Sequence, residues 1–175
     1  MNIVNDLLSI KNQMYRLALR ITLNSQEAED VVQDVIIKIW KMTQGDSAQV
    51  MNLSQKENLE PFAMRLTRNL AIDRQRMKVN QTDSLDVLID SGYADRPNSP
   101  IGNESVTASI ESSERIDTVR RIMATLPEKQ RTAMQLRDFE GKSYKEIADI
   151  MDVTEDQVKV SIFRARQAVK LRIKK

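Results

Sequence analysis

The sequence predicts an all-α protein: two small helical domains joined by a flexible linker, the C-terminal one a helix-turn-helix. Three observations point there. The first is composition, since 175 residues include only 4 Gly and 4 Pro, with 41% hydrophobic, 30% charged and 4% aromatic residues, which describes helices around aliphatic cores. The second is charge partition: residues 1–80 hold 11 basic and 9 acidic residues, 81–114 hold 1 and 7, and 115–175 hold 15 and 9. The third is a pair of capping boxes spaced too closely for anything but a tight turn between two helices. The boundaries that follow are 1–80 and 115–175 for the domains and 81–114 for an acidic linker. That linker carries Gly92, Pro97, Pro100 and Gly102 among Ser, Asn and Asp, a mixture that favours turns and extended chain. Domains this small bury modest cores, so each is expected to be marginally stable alone.

Composition also excludes chemistry. With no Cys and no His, thiol nucleophiles, Ser-His-Asp triads, thiolate zinc sites and disulfides are impossible. No GxGxxG or GxxxxGK[ST] run is present to cradle a nucleotide. The expectation is a protein that binds, with no catalytic residue, metal, cofactor or small-molecule substrate. No apolar run approaches the roughly 18 residues of a membrane span, and the N-terminus lacks a basic-then-apolar leader, so a cytoplasmic protein that is not membrane-inserted is expected.

In the N-terminal domain, Ile3, Leu7, Ile10, Met14, Leu17 and Ile21 mark one face of a first helix over 3–23. Asn24 or Ser25 caps a second helix running to about Met42, with Glu27 and Glu29 placed in its first turn, where the helix dipole favours anions. Its apolar stripe is Ala28, Val32, Val35, Ile39 and Met42, and its polar face holds Asp30, Gln33, Asp34 and Lys38. Two readings of that face are open: a solvated surface in which Lys38 offsets Asp34, or a docking surface for a basic partner. A polar loop follows from Gln44, and Pro61 is placed in the first turn of a third helix with Phe62, Leu66, Leu70, Ile72 and Met77 as apolar positions. The other side of this helix is basic: Arg65, Arg68, Asn69, Arg74, Arg76 and Lys78, with Asp73 opposing. It is either a solvated face or a track for a phosphate backbone.

The C-terminal domain is more specific. Ser143-Tyr144-Lys145-Glu146 and Thr154-Glu155-Asp156-Gln157 each fit the capping pattern S/T-x-x-E/Q, eleven residues apart. The first helix therefore spans about 144–151, Asp152 and Val153 make the turn, and Ala148 lets the helices approach. Ile147, Met151, Val153, Val158, Ile162, Ala165 and Val169 form the shared seam, with an upstream helix over 127–139 closed at Gly141 as a third wall. Subtracting that seam leaves Gln157, Lys159, Val160, Phe163, Arg164 and Arg166 outside, and 157–175 hold seven cations and no acid. Phe163 lies about 140° around the helix from Val158 at 100° per residue. It either packs on the upstream helix or meets a partner; cations can donate to base edges and phosphates while Val160 and Phe163 pack on a thymine methyl.

Three stretches together resemble one family. Ala28-Glu29-Asp30-Val31-Val32-Gln33-Asp34-Val35 with Ile39-Trp40 is similar to region 2.1 to 2.2 of the extracytoplasmic-function sigma factors of bacterial RNA polymerase. Phe62-Ala63-Met64-Arg65-Leu66-Thr67-Arg68-Asn69-Leu70-Ala71-Ile72-Asp73 with Arg76 resembles regions 2.3 to 2.4. Leu126-Pro127-Glu128, Gly141 to Ala148 and Val158 to Arg166 resemble region 4. The resemblance implies a chain holding regions 2 and 4 only, which binds core RNA polymerase and directs initiation at promoter DNA. It implies that Asp30, Gln33, Asp34 and Lys38 dock on the clamp coiled coil of the largest polymerase subunit. It implies that Arg65, Arg68, Asn69, Asp73 and Arg76 hold the melted minus-10 strand, and that Gln157, Lys159, Val160, Phe163, Arg164 and Arg166 read the minus-35 duplex. An anti-sigma factor as partner is implied too. The chain departs from the family's pattern at Asp152, where Gly is common, and at Lys159-Val160-Ser161, where Lys-Ser-Arg is frequent. Two rival functions are an independent helix-turn-helix regulator dimerising through its N-terminal domain, and a purely protein-binding adaptor.

Overall fold

A computed structural model of the chain describes residues 3–45, 56–81 and 106–174. The Gly- and Pro-rich part of the acidic linker, with its short apolar stretch 85–89, and loop residues 46–55 lie outside them. The described residues form seven α-helices and one π-helical segment, and no strand: α1 Ile3–Thr22, α2 Ser25–Thr43, α3 Lys56–Gln81, α4 Val106–Ala124, α5 Glu128–Met134 continuing as the π segment Gln135–Phe139, α6 Tyr144–Met151 and α7 Glu155–Ile173.

The first three helices pack as a trio. Leu23 turns the chain through a left-handed backbone (φ 56°), and Asn24 then caps α2 by accepting the Glu27 N–H at 3.1 Å. Glu27 is the acid in the first turn, where the helix dipole favours it. Glu29, the fifth residue of α2, lies just past the first turn, contrary to the sequence reading. Most of the predicted stripes is inside: Leu7, Ile10, Met14, Leu17 and Ile21 of α1 against Ala28, Val32, Val35 and Ile39 of α2, joined by Val31, while Ile3 and Met42 at the far ends are only half-buried. The third helix corrects the sequence reading. It starts at Lys56, so Pro61 lies within it and not in its first turn. Proline there forfeits one hydrogen bond, but the extra turn seats Leu59 in the core, 2% exposed.

In the C-terminal half, helical backbone begins at Val106, inside the segment 81–114 read as linker. Both capping boxes are present, reciprocal between Ser143 and Glu146 and between Thr154 and Gln157. Asp152 supplies the left-handed turn residue (φ 55°, ψ 51°), which Asp tolerates better than most side chains. The upstream helix reaches Phe139 as the sequence reading has it, but its last turn widens, with the Glu140 N–H donating to the Gln135 carbonyl at 3.1 Å before Gly141 reverses the chain at φ 69°. A widened turn shifts the helix face. Here Gln135 and Leu136 both stay inside while Asp138 points out toward α7 and Glu140 turns toward α1. Met123, Leu126, Met134, Ala165 and Val169 tie α4 and α5 to α7.

The two halves are not separate beads. One continuous apolar cluster runs from Leu7, Leu17, Val35 and Met64 of the N-terminal trio into Leu136, Ile147, Ile150 and Met151 of the C-terminal half, with α3 against α6 and α1 against α5. Modest cores, expected to leave each half marginal, are pooled.

Candidate nucleic-acid interface

The geometry of α7 follows from its capped start and its buried stripe. Thr154 fixes its start by accepting the Gln157 N–H at 3.2 Å while the Gln157 side chain accepts the Thr154 N–H at 3.0 Å. Val158, Ile162, Ala165 and Val169 are buried, and this inward stripe dictates what faces out. Lys159, Val160, Phe163 and Arg164 are all exposed, Phe163 at 61% and Val160 at 47%. The alternative in which Phe163 packs on the upstream helix is therefore overturned: Phe139 of that helix faces Arg120 and the smaller cluster instead. Gln157 is also exposed, but its side-chain oxygen is committed to the cap.

Residues beyond those read from the sequence shape this face. The Tyr144 ring lies under the Arg137 guanidinium at 4.4 Å and near the Lys159 ammonium at 5.5 Å, so one aromatic face steadies two cations. Arg137 also donates to the Lys142 carbonyl at 2.8 Å. Arg166 is held by Asp138, its Nε donating at 3.0 Å, and that hydrogen bond keeps the guanidinium protonated even more firmly than usual. Nothing local in the sequence singled out Tyr144: it opens α6 at the end away from the tight turn, and only the packing of α6 on α7 brings its ring to Lys159. Asp138 was hidden by the widened turn.

The basic side of α3 divides. Asn69, Asp73 and Arg76 face outward, whereas Arg65 and Arg68 reach into the C-terminal half. Arg65 Nε donates to the Asp149 carbonyl at 2.8 Å. Arg68 is 9% exposed, pairs with both oxygens of Glu128 at 3.0 Å and donates to the Met151 carbonyl at 3.3 Å. A fully solvated arginine face is thus not what α3 presents.

On α2, Asp30, Gln33, Asp34 and Lys38 are exposed and share a face. The expected offset of Asp34 by Lys38 is replaced by one from another helix: Arg74 of α3 contacts Glu27, Asp30 and Asp34, at 3.3, 3.6 and 2.5 Å. Lys78 adds a contact to Glu27 at 3.2 Å. Burial pushes the Glu27 carboxyl up, but hydrogen bonds from Lys78 and Arg74 outweigh it and hold the group below the usual carboxylate range. The acidic face is therefore partly neutralised at one edge and open at Gln33 and Lys38. Beside it, Ile37 and Trp40 expose apolar surface, at 49% and 47%. Among the described residues no helix is long and apolar enough to cross a membrane.

Comparison with known proteins places both halves of the chain in one family. Residues 8–80 match the family model for sigma-70 region 2 and residues 116–169 that for sigma-70 region 4. The chain is 32% identical to the RNA polymerase sigma-H factor of Pseudomonas aeruginosa over 169 residues, covering 94% of this chain and 83% of that one. It is 33% identical to the ECF RNA polymerase sigma-E factor of Escherichia coli over 150 residues, covering 83% and 73%. The solved structure of the Bartonella quintana sigma factor RpoE, crystallised with the anti-sigma factor NepR, shares the fold with a TM-score of 0.70 at 21% identity, over 97% of this chain and 95% of that one. With both regions matched in order along one chain, the protein belongs to the extracytoplasmic-function sigma factors of bacterial RNA polymerase.

Proposed function

We propose that the protein is a promoter-specificity subunit without enzymatic activity of its own, which joins core RNA polymerase in the cytoplasm and starts transcription at promoters carrying its minus-10 and minus-35 elements. The observation that supports this most is the outward face of α7, where Lys159, Val160, Phe163 and Arg164 stand exposed on a helix anchored at its start by the reciprocal Thr154–Gln157 cap. A capped helix of this kind enters a major groove with its N-terminal half. Lys159 and Arg164 supply donors to guanine edges or phosphates, and Val160 and Phe163 supply apolar contact to a thymine methyl. Gln157 and Arg166 flank that surface, and their engagement with Thr154 and Asp138 suits them to backbone positioning more than to base readout.

On α3, Asn69, Asp73 and Arg76 are the groups placed to meet a melted strand directly, with Arg65 and Arg68 joining once released from α6. On α2, Asp30, Gln33, Asp34 and Lys38 are the polar groups offered to the polymerase clamp. An anti-sigma factor that covers these faces completes the set of partners.

Run-off transcription with core polymerase over a randomised promoter library tests the reading. Transcripts that depend on this protein and share two spaced elements are expected, and Lys159→Ala or Arg164→Ala should relax the upstream one. Asp34→Lys should weaken core binding in a pull-down while circular dichroism stays unchanged. Tight duplex binding by the purified protein, with no effect on polymerase, would favour an independent regulator instead.

A further inference from the structure

Beyond its first turn α7 carries cations and no acid, since 157–175 hold seven Lys and Arg and neither Asp nor Glu. The fold supplies a negative charge from another element. Asp138 lies in the π-helical segment, where the widened turn brings its carboxylate out to α7. It grips the Arg166 guanidinium at two points: Arg166 Nε donates to one carboxylate oxygen at 3.0 Å, and Nη2 donates to the other. The pair is partly in water, with the Arg166 side chain 51% exposed and that of Asp138 27%. An ion pair this exposed adds little to the stability of a fold. What it changes is the cation. A guanidinium held by both oxygens of one carboxylate loses its freedom to swing, and its remaining N–H groups are left to donate in a fixed direction. Its charge is also balanced at the surface, so it adds little to the sequence-independent attraction that free Lys and Arg exert on any phosphate backbone.

The neighbouring arginine gives the contrast. Arg164 is exposed and pairs with no carboxylate among the described residues. At 100° per residue the two arginines stand about 160° apart around α7, on opposite flanks of Val160 and Phe163. One flank therefore ends in an untethered cation and the other in a tethered one. We infer that Asp138 is a specificity-determining positioning residue for the upstream promoter element: it acts through Arg166, holding the guanidinium in one orientation so that a matching acceptor on the duplex is bound while other phosphates gain little. The inference deepens the proposed reading of α7 and rests on it. It also gives the π-helical turn a task, because a widened turn shifts the face that its residues present and so sets Asp138 opposite Arg166.

Holoenzyme assembled from the full-length protein and core polymerase tests this with two duplex probes. One is a promoter fragment selected from the randomised library, and the other is the same fragment with its upstream element scrambled. Asp138→Asn removes the charge and keeps the shape. It should bind the scrambled fragment more tightly and lower the ratio of the two affinities by at least about fivefold, the smaller end of what one directional contact contributes to discrimination. Asp138→Glu, which restores a carboxylate, should recover most of that ratio. In an Arg166→Gln background, Asp138→Asn should no longer move the ratio. A gain on both fragments alike overturns the inference, since Asp138 would then be only a nearby negative charge, and so does a fall in the ratio that persists without Arg166. The tether itself is read on the free protein: phenylglyoxal should modify Arg166 several-fold faster in Asp138→Asn than in the wild type, with Arg164 unchanged as internal reference. Equal Arg166 rates in the two proteins reject the tether. Wild-type holoenzyme that does not distinguish the fragments defeats the reading of α7 and this inference with it, whereas discrimination that survives Asp138→Asn intact defeats the inference alone.

Discussion

Helices α3 and α7 present the same text and different meanings. Each carries Arg and Lys along one side of an amphipathic pattern, and each reads as a track for nucleic acid. In α7 the cations Lys159 and Arg164 face water, with Lys159 resting near an aromatic ring. In α3 three of the arginines are already engaged: Arg65 and Arg68 by the end of α6 and by Glu128, Arg74 by the acids of α2. The lesson is that a basic stripe shows which charges exist, and the surrounding helices decide which are available.

Removing one charge from each helix tests that comparison. Arg68→Ala leaves Glu128 and the Met151 carbonyl without their donor in a largely buried place, so a loss of about 3 kcal/mol is expected in a denaturant titration. A change below about 1 kcal/mol would mean that Arg68 behaves like the exposed cations of α7. Arg164→Ala should do the reverse. Stability should hold within about 0.5 kcal/mol, while affinity for the minus-35 duplex in a polymerase-bound assay falls about tenfold, by roughly 1–3 kcal/mol for a lost base or phosphate contact.

Smaller effects sharpen the picture. Ser143→Ala removes the cap of α6 and should cost about 1 kcal/mol in thermal unfolding. Since α6 is gripped by α3 at its other end, the same change should also raise the reactivity of Arg68. The weakest effect is acid sensitivity. Glu146 is held below the usual carboxylate range, chiefly by the backbone hydrogen bond from Ser143 and against a burial penalty, and Glu27 is lowered by Lys78 and Arg74 despite burial. An acid whose folded pKa is depressed stabilises the protein above its unfolded pKa, about 4.3 for Glu. That contribution fades as pH drops from there through the folded values. The thermal midpoint should therefore fall below about pH 4, and Glu146→Gln should flatten part of that fall.

Much of the site was legible because its causes are local. The two caps depend on residues three apart, and the turn at Asp152 depends on one backbone conformation. The outward aim of Phe163 depends only on the helical angle from Val158. The early start of α3 was not legible, because Pro61 argues locally for a helix beginning there, while the burial of Leu59 across the trio argues for one more turn. Nor was the counter-ion of Asp34, since Lys38 is its sequence neighbour and Arg74 lies forty residues on. The widened turn at Gln135–Phe139 leaves no mark in the apolar spacing, yet it sets both the Asp138 to Arg166 pair and the Glu140 to Arg16 pair.

By itself the sequence determined that this chain is helical, that it lacks the side chains for thiol, imidazole or disulfide chemistry, and that its last helix turns Lys159, Val160, Phe163 and Arg164 away from a stripe of Val, Ile and Ala. Periodicity and capping act within a few residues, so they can be read along the chain. Only the tertiary structure decided which cations are held in reserve. Arg68 meets Glu128 sixty residues away, and Arg65 meets a carbonyl eighty-four residues away. Pairings at such separations are chosen by how the apolar faces of α1, α3, α5 and α6 close on one another, and no local rule specifies that choice.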